Sequence, residues 1–345
     1  MPGYYINKGD IKPIPEKMKY TIDRRTALHN HVMYGFCDEY YMKNGFEKFD
    51  HKCLYNANIV VFRRTFAVGD ILMTIPVLRQ FKKHYNIKRV ILEFGDTRHV
   101  IEPEMFPDLE CVKIYNGDYD YYIDGENGLL EQDHNLTLGL TEVPRIALYQ
   151  RFLGLPEDTN LDYSFTEDKS RMLFNPDKDK VAYIALYSST KIRKLAQSFV
   201  PYIARYLNFL GLKPLFVDDI PHLDGVDAIY AHGKTNVQQA VTNMKYCKLC
   251  ITVDTGSLWF SHFANIPTIV IAGPTPKEVK MTYHPMKKYG KAFGIEMRKY
   301  CGCNRNCGGT AEYCSRTAPC FNEFCYGTVL DEIATLIDKI MKVEN

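Results

Sequence analysis

The sequence predicts an α/β protein in which two doubly wound domains each contain a parallel sheet. Apolar runs typical of buried strands alternate with helical segments in two separate series along the 345 residues. A polar stretch at residues 156–180 divides the two series and suits a linker between domains. The length agrees with this division, since one domain usually takes about 100–200 residues.

The predicted boundaries divide the chain into four parts. They are an N-terminal extension (1–57), an N-terminal domain (58–165), a C-terminal domain (178–327) and a C-terminal helix (328–345). The extension is rich in aromatic side chains, which argues against a disordered tail. We therefore expect an ordered segment packed on the first domain, with a helix over residues 24–42.

The first series starts with residues 58–84, the most clearly patterned stretch of the chain. Residues 59–62 read as a buried strand. The helix that follows has an apolar face at three- and four-residue steps, made of Ile71, Leu72, Ile75, Leu78 and Phe81. Later in this series the pattern predicts two strands and a helix, over residues 89–94, 111–115 and 143–153.

Asp70 lies where the first loop joins its helix, and two interpretations of its carboxylate are open. It can cap N–H groups of the first helical turn, as Asp commonly does. It can instead face a ligand at the carboxyl end of a parallel strand, where α/β sheets bind substrates. A cap alone does not require Arg64, Gly69 and Pro76 nearby, so we favour the ligand interpretation.

The second series begins at residue 181, and its alternation predicts a second parallel sheet with crossover helices. Four strands are predicted, over residues 181–187, 213–217, 249–253 and 268–272. Helices are predicted between them and at the C-terminus, over residues 198–210, 237–244, 257–265 and 329–341.

Two loops of the second series suit a phosphate group. The first follows an apolar strand and combines hydroxyl side chains with cations, in the order Ser188-Ser189-Thr190-Lys191-Ile192-Arg193-Lys194. The second opens a helix whose first N–H groups and dipole attract an anion, and it reads Asp254-Thr255-Gly256-Ser257. Each pattern also occurs in ordinary polar loops. The strand end with Gly273 and Thr275 is expected to line the same cleft.

Taken in order, these motifs resemble those of glycosyltransferase family 9, the heptosyltransferases of the GT-B class. The resemblance covers about residues 58–340 and consists of four patterns: Arg64-x4-Gly69-Asp70-x5-Pro76, Thr190-x3-Lys194, Val253-Asp254-Thr255-Gly256 and Gly273-Pro274-Thr275. It implies a GT-B fold, in which two Rossmann-like domains face each other across a cleft. It also implies inverting transfer of a sugar, typically heptose, from a nucleotide diphosphate donor to an acceptor hydroxyl, without a catalytic metal.

The resemblance implies a role for individual residues of this chain. Asp70 matches the general base, and Lys194 matches the lysine that binds the donor phosphate during catalysis. Arg64 and Arg98 are expected to bind the acceptor. Asp218 and Asp219 are the nearest acids to the position of the residue that holds the ribose of the donor, and Asp218 is the preferred one. The other positions expected to bind the donor are Thr190, Lys191, Asp254, Thr255, Gly256, Ser257, Gly273 and Thr275.

Six of the 11 cysteines lie between residues 301 and 325, in a segment rich in Gly, Asn and Arg. Thiolates this close together favour a structural zinc or iron ion, since both metals accept tetrahedral sulfur ligands. Free buried thiols are the alternative. The autotransporter heptosyltransferases of the same family are similar in having a cysteine-bound iron site near the C-terminus. We call residues 301–325 the metal knuckle, and its preferred metal ligands are Cys301, Cys303, Cys307 and Cys320.

Charge and hydropathy limit the classes of partner. The net charge is +2, so composition selects neither nucleic acid nor membrane. The sequence has no N-terminal signal and no apolar run that could span a bilayer, so we expect a soluble, cytoplasmic protein, with oligomers possible. Residues 277–305 contain eight Lys or Arg and two Glu, a local charge of +6. That segment suits either a solvated face or an anionic partner.

Three functions remain open from the sequence. The favoured one is transfer of a sugar to a glycolipid core, a protein or a modified nucleic acid. The second is a modified-base glycosyltransferase on the same fold, which would hold nucleic acid with the basic segment and the cysteines. The third is a non-catalytic protein for sugar-nucleotide binding or assembly, with the aromatic extension as its interface.

Overall fold

A computed structural model describes most of the chain, and the chain divides into two compact units. The described residues are 3–8, 12–13, 26–27, 31–35, 42–43, 45–64, 68–95, 101–125, 143–188, 195–273, 277–297 and 326–342. The first unit comprises Met1–Asn135 and Ile146–Asp162, and the second comprises Leu136–Arg145 and Tyr163–Asn345. Between Asp162 and Tyr163 the chain passes from one unit to the other within the polar stretch expected to be a linker.

The first unit is built on a seven-stranded sheet. The sheet consists of β1 (Gly3–Asn7), β4 (His31–Gly35), β5 (Glu47–Lys48), β6 (Ile59–Arg63), β7 (Arg89–Glu93), β8 (Glu110–Val112) and β9 (Tyr121–Asp124). Two further strands, β2 (Lys12–Pro13) and β3 (Thr26–Ala27), form a separate pair. The sheet order is β5-β1-β4-β9-β6-β7-β8, and the five neighbouring strands β4, β9, β6, β7 and β8 run parallel. The helices are α1 (Val68–His84) and α2 (Arg145–Phe152).

Strand β6 and helix α1 form as their sequence patterns predict. Val60, Val61 and Phe62 are fully buried in the sheet. All five apolar residues of the predicted α1 face are also fully buried, namely Ile71, Leu72, Ile75, Leu78 and Phe81. Burial of each such side chain contributes roughly 1.5–3 kcal/mol, which is enough to hold Pro76 inside the helix despite its missing N–H group.

The helix expected over residues 24–42 is wrong. The described residues of that range include β3 and β4, and β4 pairs in parallel with β9, with His31 opposite Tyr122 and Val32 opposite Ile123. Strand β1 then pairs with β4 in the antiparallel direction. Backbone groups of β9 offer the N-terminal segment a partner, and this long-range pairing outweighs the local preference of the segment.

The second unit contains a six-stranded, entirely parallel sheet. Its strands are β10 (Val181–Ala185), β11 (Lys213–Phe216), β12 (Ile229–Tyr230), β13 (Leu249–Val253), β14 (Thr268–Ala272) and β15 (Ala292–Glu296), in the order β12-β11-β10-β13-β14-β15. Its helices are α3 (Val200–Phe209), α4 (Val237–Lys245), α5 (Gly256–Ala264), α6 (Lys277–Met281) and α7 (Tyr326–Lys342). In the described part of the chain, no helix combines the length and apolar character needed to cross a bilayer.

Both sheets change winding direction next to one strand, which is β6 in the first unit and β10 in the second. In the second unit the chain moves from β10 outward to β12, and then from β13 outward to β15 on the other side. In the first unit it moves from β6 to β8, and β9 then lies on the opposite side of β6. Doubly wound sheets bind ligands in the crevice at such a switch point, beyond the carboxyl ends of the strands. A ligand-binding site is therefore expected at the residues that follow β6, β10 and β13.

Candidate active site

Asp70 lies in the first turn of α1, just beyond the carboxyl end of β6. Its side chain is 24% exposed, whereas the side chain of Arg64 is only 4% exposed. The two groups form an ion pair, with 3.5 Å between Nη2 of Arg64 and Oδ1 of Asp70. The carboxylate is thus held by a buried cation while it stays accessible to a small molecule.

Arg64 is itself fixed from two sides. Its Nε donates a hydrogen bond of 3.0 Å to the hydroxyl of Tyr149 on α2, and its guanidinium lies 5.9 Å from the centre of that ring. Its backbone N–H donates to the carbonyl of Glu93 at the end of β7. These contacts restrict the guanidinium, so Tyr149 acts on Asp70 through Arg64.

More charged side chains are buried at the same strand ends. Nε of Arg63 lies 3.9 Å from Oε1 of Glu93, and that carboxylate also accepts hydrogen bonds from the hydroxyl of Tyr122 and the backbone N–H of Tyr115. Asp124 ends β9 and lies opposite Arg63 in the strand register. These buried charges were not predicted from the sequence, although Arg63 and Glu93 stand at the ends of apolar runs that predict strands.

In the second unit, the start of the first predicted phosphate loop is anchored by Asp218. One oxygen of this carboxylate, Oδ2, accepts hydrogen bonds from the backbone N–H groups of Leu186 and Tyr187, at 2.6 and 3.0 Å. Asp218, expected to hold the ribose, therefore also braces the backbone that leads into the loop. The residues of that loop that are predicted to bind the donor or to act in catalysis lie outside the described residues: Thr190, Lys191 and Lys194.

The second predicted phosphate loop connects β13 to α5. Asp254 is buried there, with its Oδ1 3.3 Å from Nζ of Lys280 on α6. Thr255 is the N-cap residue of α5 but does not use its side chain to cap the helix, and Gly256 begins the first turn. Burial raises the pKa of Tyr183 on β10, so its phenol stays protonated.

Two buried histidines, His262 and His284, hydrogen-bond groups of helix α5. Nδ1 of His284 accepts from the backbone N–H of Met286, so its Nε2 carries the proton and donates to the hydroxyl of Ser261 at 3.0 Å. Nδ1–H of His262 donates to the carbonyl of Leu258, and the ring of His262 stacks on Trp259. Burial lowers the pKa of His262 to about 4 and holds that of His284 well below its ordinary value. Both imidazoles are therefore neutral at neutral pH.

Several predicted site residues fall outside the described part of the chain, while Gly273 is buried directly after β14. Within the described ranges, no group of three or more His, Cys, Asp or Glu side chains could hold a metal ion. Besides the residues of the first phosphate loop named above, the predicted site residues outside the described ranges are Arg98, Thr275 and the preferred metal ligands Cys301, Cys303, Cys307 and Cys320.

Comparisons with solved structures identify the fold. The iron-containing dodecameric glycosyltransferase TibC from enterotoxigenic E. coli H10407 superimposes with a TM-score of 0.63 at 13% identity, covering 100% of this chain and 96% of that chain. TibC in complex with ADP-D-β-D-heptose gives a TM-score of 0.61 at 14% identity, with the same coverage. The glycosyl transferase family 9 protein from Veillonella parvula gives 0.58 at 13% identity, covering 87% of this chain and 99% of that chain.

No protein-family profile matches this sequence, and no curated protein matches it. The structural similarity spans both units of the chain and confirms the predicted α/β fold of the GT-B class, with two Rossmann-like units. At this level of identity the similarity establishes the fold, so the function has to be argued from the residues at the switch points.

Proposed function

We propose that this chain is an inverting glycosyltransferase that moves a sugar from a nucleoside diphosphate to a hydroxyl group of an acceptor. The observation that carries the proposal is the placement of the motifs in the two sheets. The loops that suit a diphosphate follow β10 and β13, between which the second sheet changes direction, and Asp70 follows β6 in the first sheet. The residues proposed as base and as phosphate-binding groups thus follow strands next to the switch points, where doubly wound sheets bind ligands.

In this mechanism Asp70 acts as the general base. A sugar hydroxyl is a poor nucleophile at neutral pH, and a positioned carboxylate that accepts its proton typically accelerates such a step about 10²–10⁴-fold. Arg64 orients the carboxylate and binds the acceptor together with Arg98. As the proton passes to Asp70, the acceptor oxygen forms a bond to the anomeric carbon. The bond from that carbon to the diphosphate breaks on the opposite face, so the configuration inverts.

The donor half of the mechanism uses the second unit. The diphosphate leaves with growing negative charge, which Lys194 and the N–H groups at the start of α5 stabilise. Thr190, Lys191 and Ser257 add donors to the phosphate oxygens, and Gly256, Gly273 and Thr275 are the further positions that we propose bind the donor. Asp254 accepts hydrogen bonds from hydroxyls of the donor sugar. Thr255 leaves the first turn of α5 uncapped by its side chain, as an anion-binding helix start requires.

The donor class that we favour is a nucleoside diphosphate heptose. This preference rests on the motif resemblance to family 9 and on the fold shared with TibC, whose complex with ADP-D-β-D-heptose was solved. For the acceptor we favour a hydroxyl of a glycolipid core or a protein over a modified base, because the net charge of +2 gives the chain no overall attraction to nucleic acid. The retained base and phosphate-binding residues favour an enzyme over a non-catalytic binding protein.

The test is a screen of nucleotide sugars for stabilisation of the folded protein. A ligand at about 100 times its Kd adds roughly 2.7 kcal/mol to the free energy of unfolding. We expect ADP-heptose to stabilise the wild type and to lose most of this effect in Lys194→Ala. The matched control is Lys248→Ala, which removes an exposed lysine outside the proposed site. If ADP-heptose stabilised both variants equally, Lys194 would not bind the donor. If no nucleotide sugar stabilised the wild type, the proposed glycosyltransferase function would be wrong.

We also propose a structural iron or zinc ion bound by Cys301, Cys303, Cys307 and Cys320. The support is the donor set itself, since six thiols within 25 residues suit tetrahedral sulfur ligation of either metal. TibC, which shares the fold, is described as iron-containing. The ion would hold this cysteine segment together and takes no part in the transfer step.

Elemental analysis of protein purified without oxygen tests the metal site. We expect about one iron or zinc per chain, and its loss in a variant with Cys301 and Cys303 both changed to serine. The control changes Cys111 and Cys250, which are buried single thiols far from this segment in sequence, and should keep the metal. Protein without stoichiometric metal would contradict the proposal.

A further inference from the structure

Asp254 and Lys280 form an ion pair that the sequence alone does not predict. Nζ of Lys280 lies 3.3 Å from Oδ1 of Asp254, and the side chains are only 4% and 5% exposed. A buried ion pair is rarely a source of stability, because removing two charges from water costs more than their attraction returns unless the geometry is very good. The pair is therefore better explained by a functional need at this position.

The pair lies next to the switch point of the second sheet. Asp254 directly follows β13, and it precedes Thr255, the N-cap residue of α5. Lys280 reaches it from α6, the short helix that follows β14. The ammonium group of Lys280 therefore lies beside Asp254, the residue that we propose binds the donor sugar.

The rest of the structure holds α6 in this place. The backbone N–H of Lys277 donates to Oε1 of the buried Glu296 at the end of β15. Gly294 on β15 has no side chain, and a Cβ atom there would lie 2.5 Å from Cβ of Lys277. Helix α6 thus packs directly against the backbone of β15. This packing fixes the backbone position of Lys280, whose side chain extends to Asp254.

We propose that Lys280 is a positioning residue that fixes the Asp254 carboxylate for recognition of the donor sugar. This inference rests on the proposed function and deepens it. A carboxylate held at one oxygen by a buried ammonium cannot rotate freely, so it presents a defined pattern of acceptors to sugar hydroxyls. Lys280 then contributes to binding of the sugar and leaves binding of the nucleoside diphosphate to Lys194 and the start of α5.

The experiment measures the Kd values of ADP and ADP-D-β-D-heptose by calorimetry for wild type, Lys280→Met and Lys280→Arg. In Lys280→Met we expect the Kd of ADP to stay within about twofold, while ADP-heptose binds at least about tenfold more weakly. Lys280→Arg keeps a cation near Asp254 and should recover part of the loss. A role in folding alone would weaken both ligands together.

A second variant controls for the uncompensated charge that Lys280→Met leaves on Asp254. The double change Asp254→Asn with Lys280→Met removes both charges, and its thermal unfolding should lie closer to wild type than that of Lys280→Met. We expect it to bind ADP normally and ADP-heptose weakly.

The outcomes separate this inference from the proposed function. Normal binding of ADP-heptose by Lys280→Met, or equal weakening of both ligands, would overturn the positioning role while the proposed function stands. A wild-type protein that binds neither compound would overturn the ADP-heptose donor, and the inference with it.

Discussion

Changing Asp70 to Asn should lower kcat by about 10²–10⁴-fold while donor binding stays unchanged. The amide has nearly the same shape as the carboxylate but cannot accept the proton of the acceptor hydroxyl, so the contribution of a general base is lost. Arg64 keeps its hydrogen bond to Tyr149 in the variant, which preserves the local structure. The measurement is release of the nucleoside diphosphate in steady state, together with the Kd of the donor.

Asp118→Asn is the matched control for this experiment. It makes the same chemical change in the same unit, at an exposed position away from α1. We expect kcat of the control to equal that of the wild type. If Asp70→Asn retained most of its kcat, another group would have to be the base.

Acid should destabilise the second unit through the buried imidazole of His262. Its pKa falls from 6.5 to about 4 in the folded protein because burial disfavours the charged ring. Below pH 6.5 the unfolded chain binds a proton that the folded chain does not, so the stabilisation present above pH 6.5 is lost as the pH falls to about 4. The size of the shift corresponds to about 3 kcal/mol. His284, with its pKa lowered in the same direction, adds to the effect.

Urea unfolding between pH 7 and pH 4 measures this loss. The variant His262→Phe cannot titrate at this position and keeps an aromatic ring against Trp259. We expect the free energy of unfolding of His262→Phe to depend less steeply on pH than that of wild type, whatever its value at pH 7. Identical pH dependence in the two proteins would assign the acid sensitivity to other groups.

Much of the fold was predictable because its strands are short apolar runs between polar turns. Strands β13 and β14 have the predicted ends, and the apolar face of α1 is buried as its spacing requires. The placement of Asp70 at the start of that helix was predictable for the same reason. Local patterns of this kind determine which residues stand at the carboxyl ends of strands.

The partners of those residues could not be predicted, since they come from distant parts of the chain. Tyr149 contacts Arg64 across 85 positions, and Lys280 reaches Asp254 from another helix. Nothing in a local pattern distinguishes Lys280 from the exposed lysines of the same basic segment. The wrong N-terminal helix has the same origin, because β4 is stabilised by its pairing with β9.

That pairing makes the N-terminal segment an integral part of the first unit. Strand β9 lies between β4 and β6, so it is an interior strand only while β4 is present. A protein shortened to begin at residue 58 would present the N–H and C=O groups along one side of β9 to water and to other chains. Exposed strand edges of this kind recruit further strands, so the shortened protein would be prone to self-association.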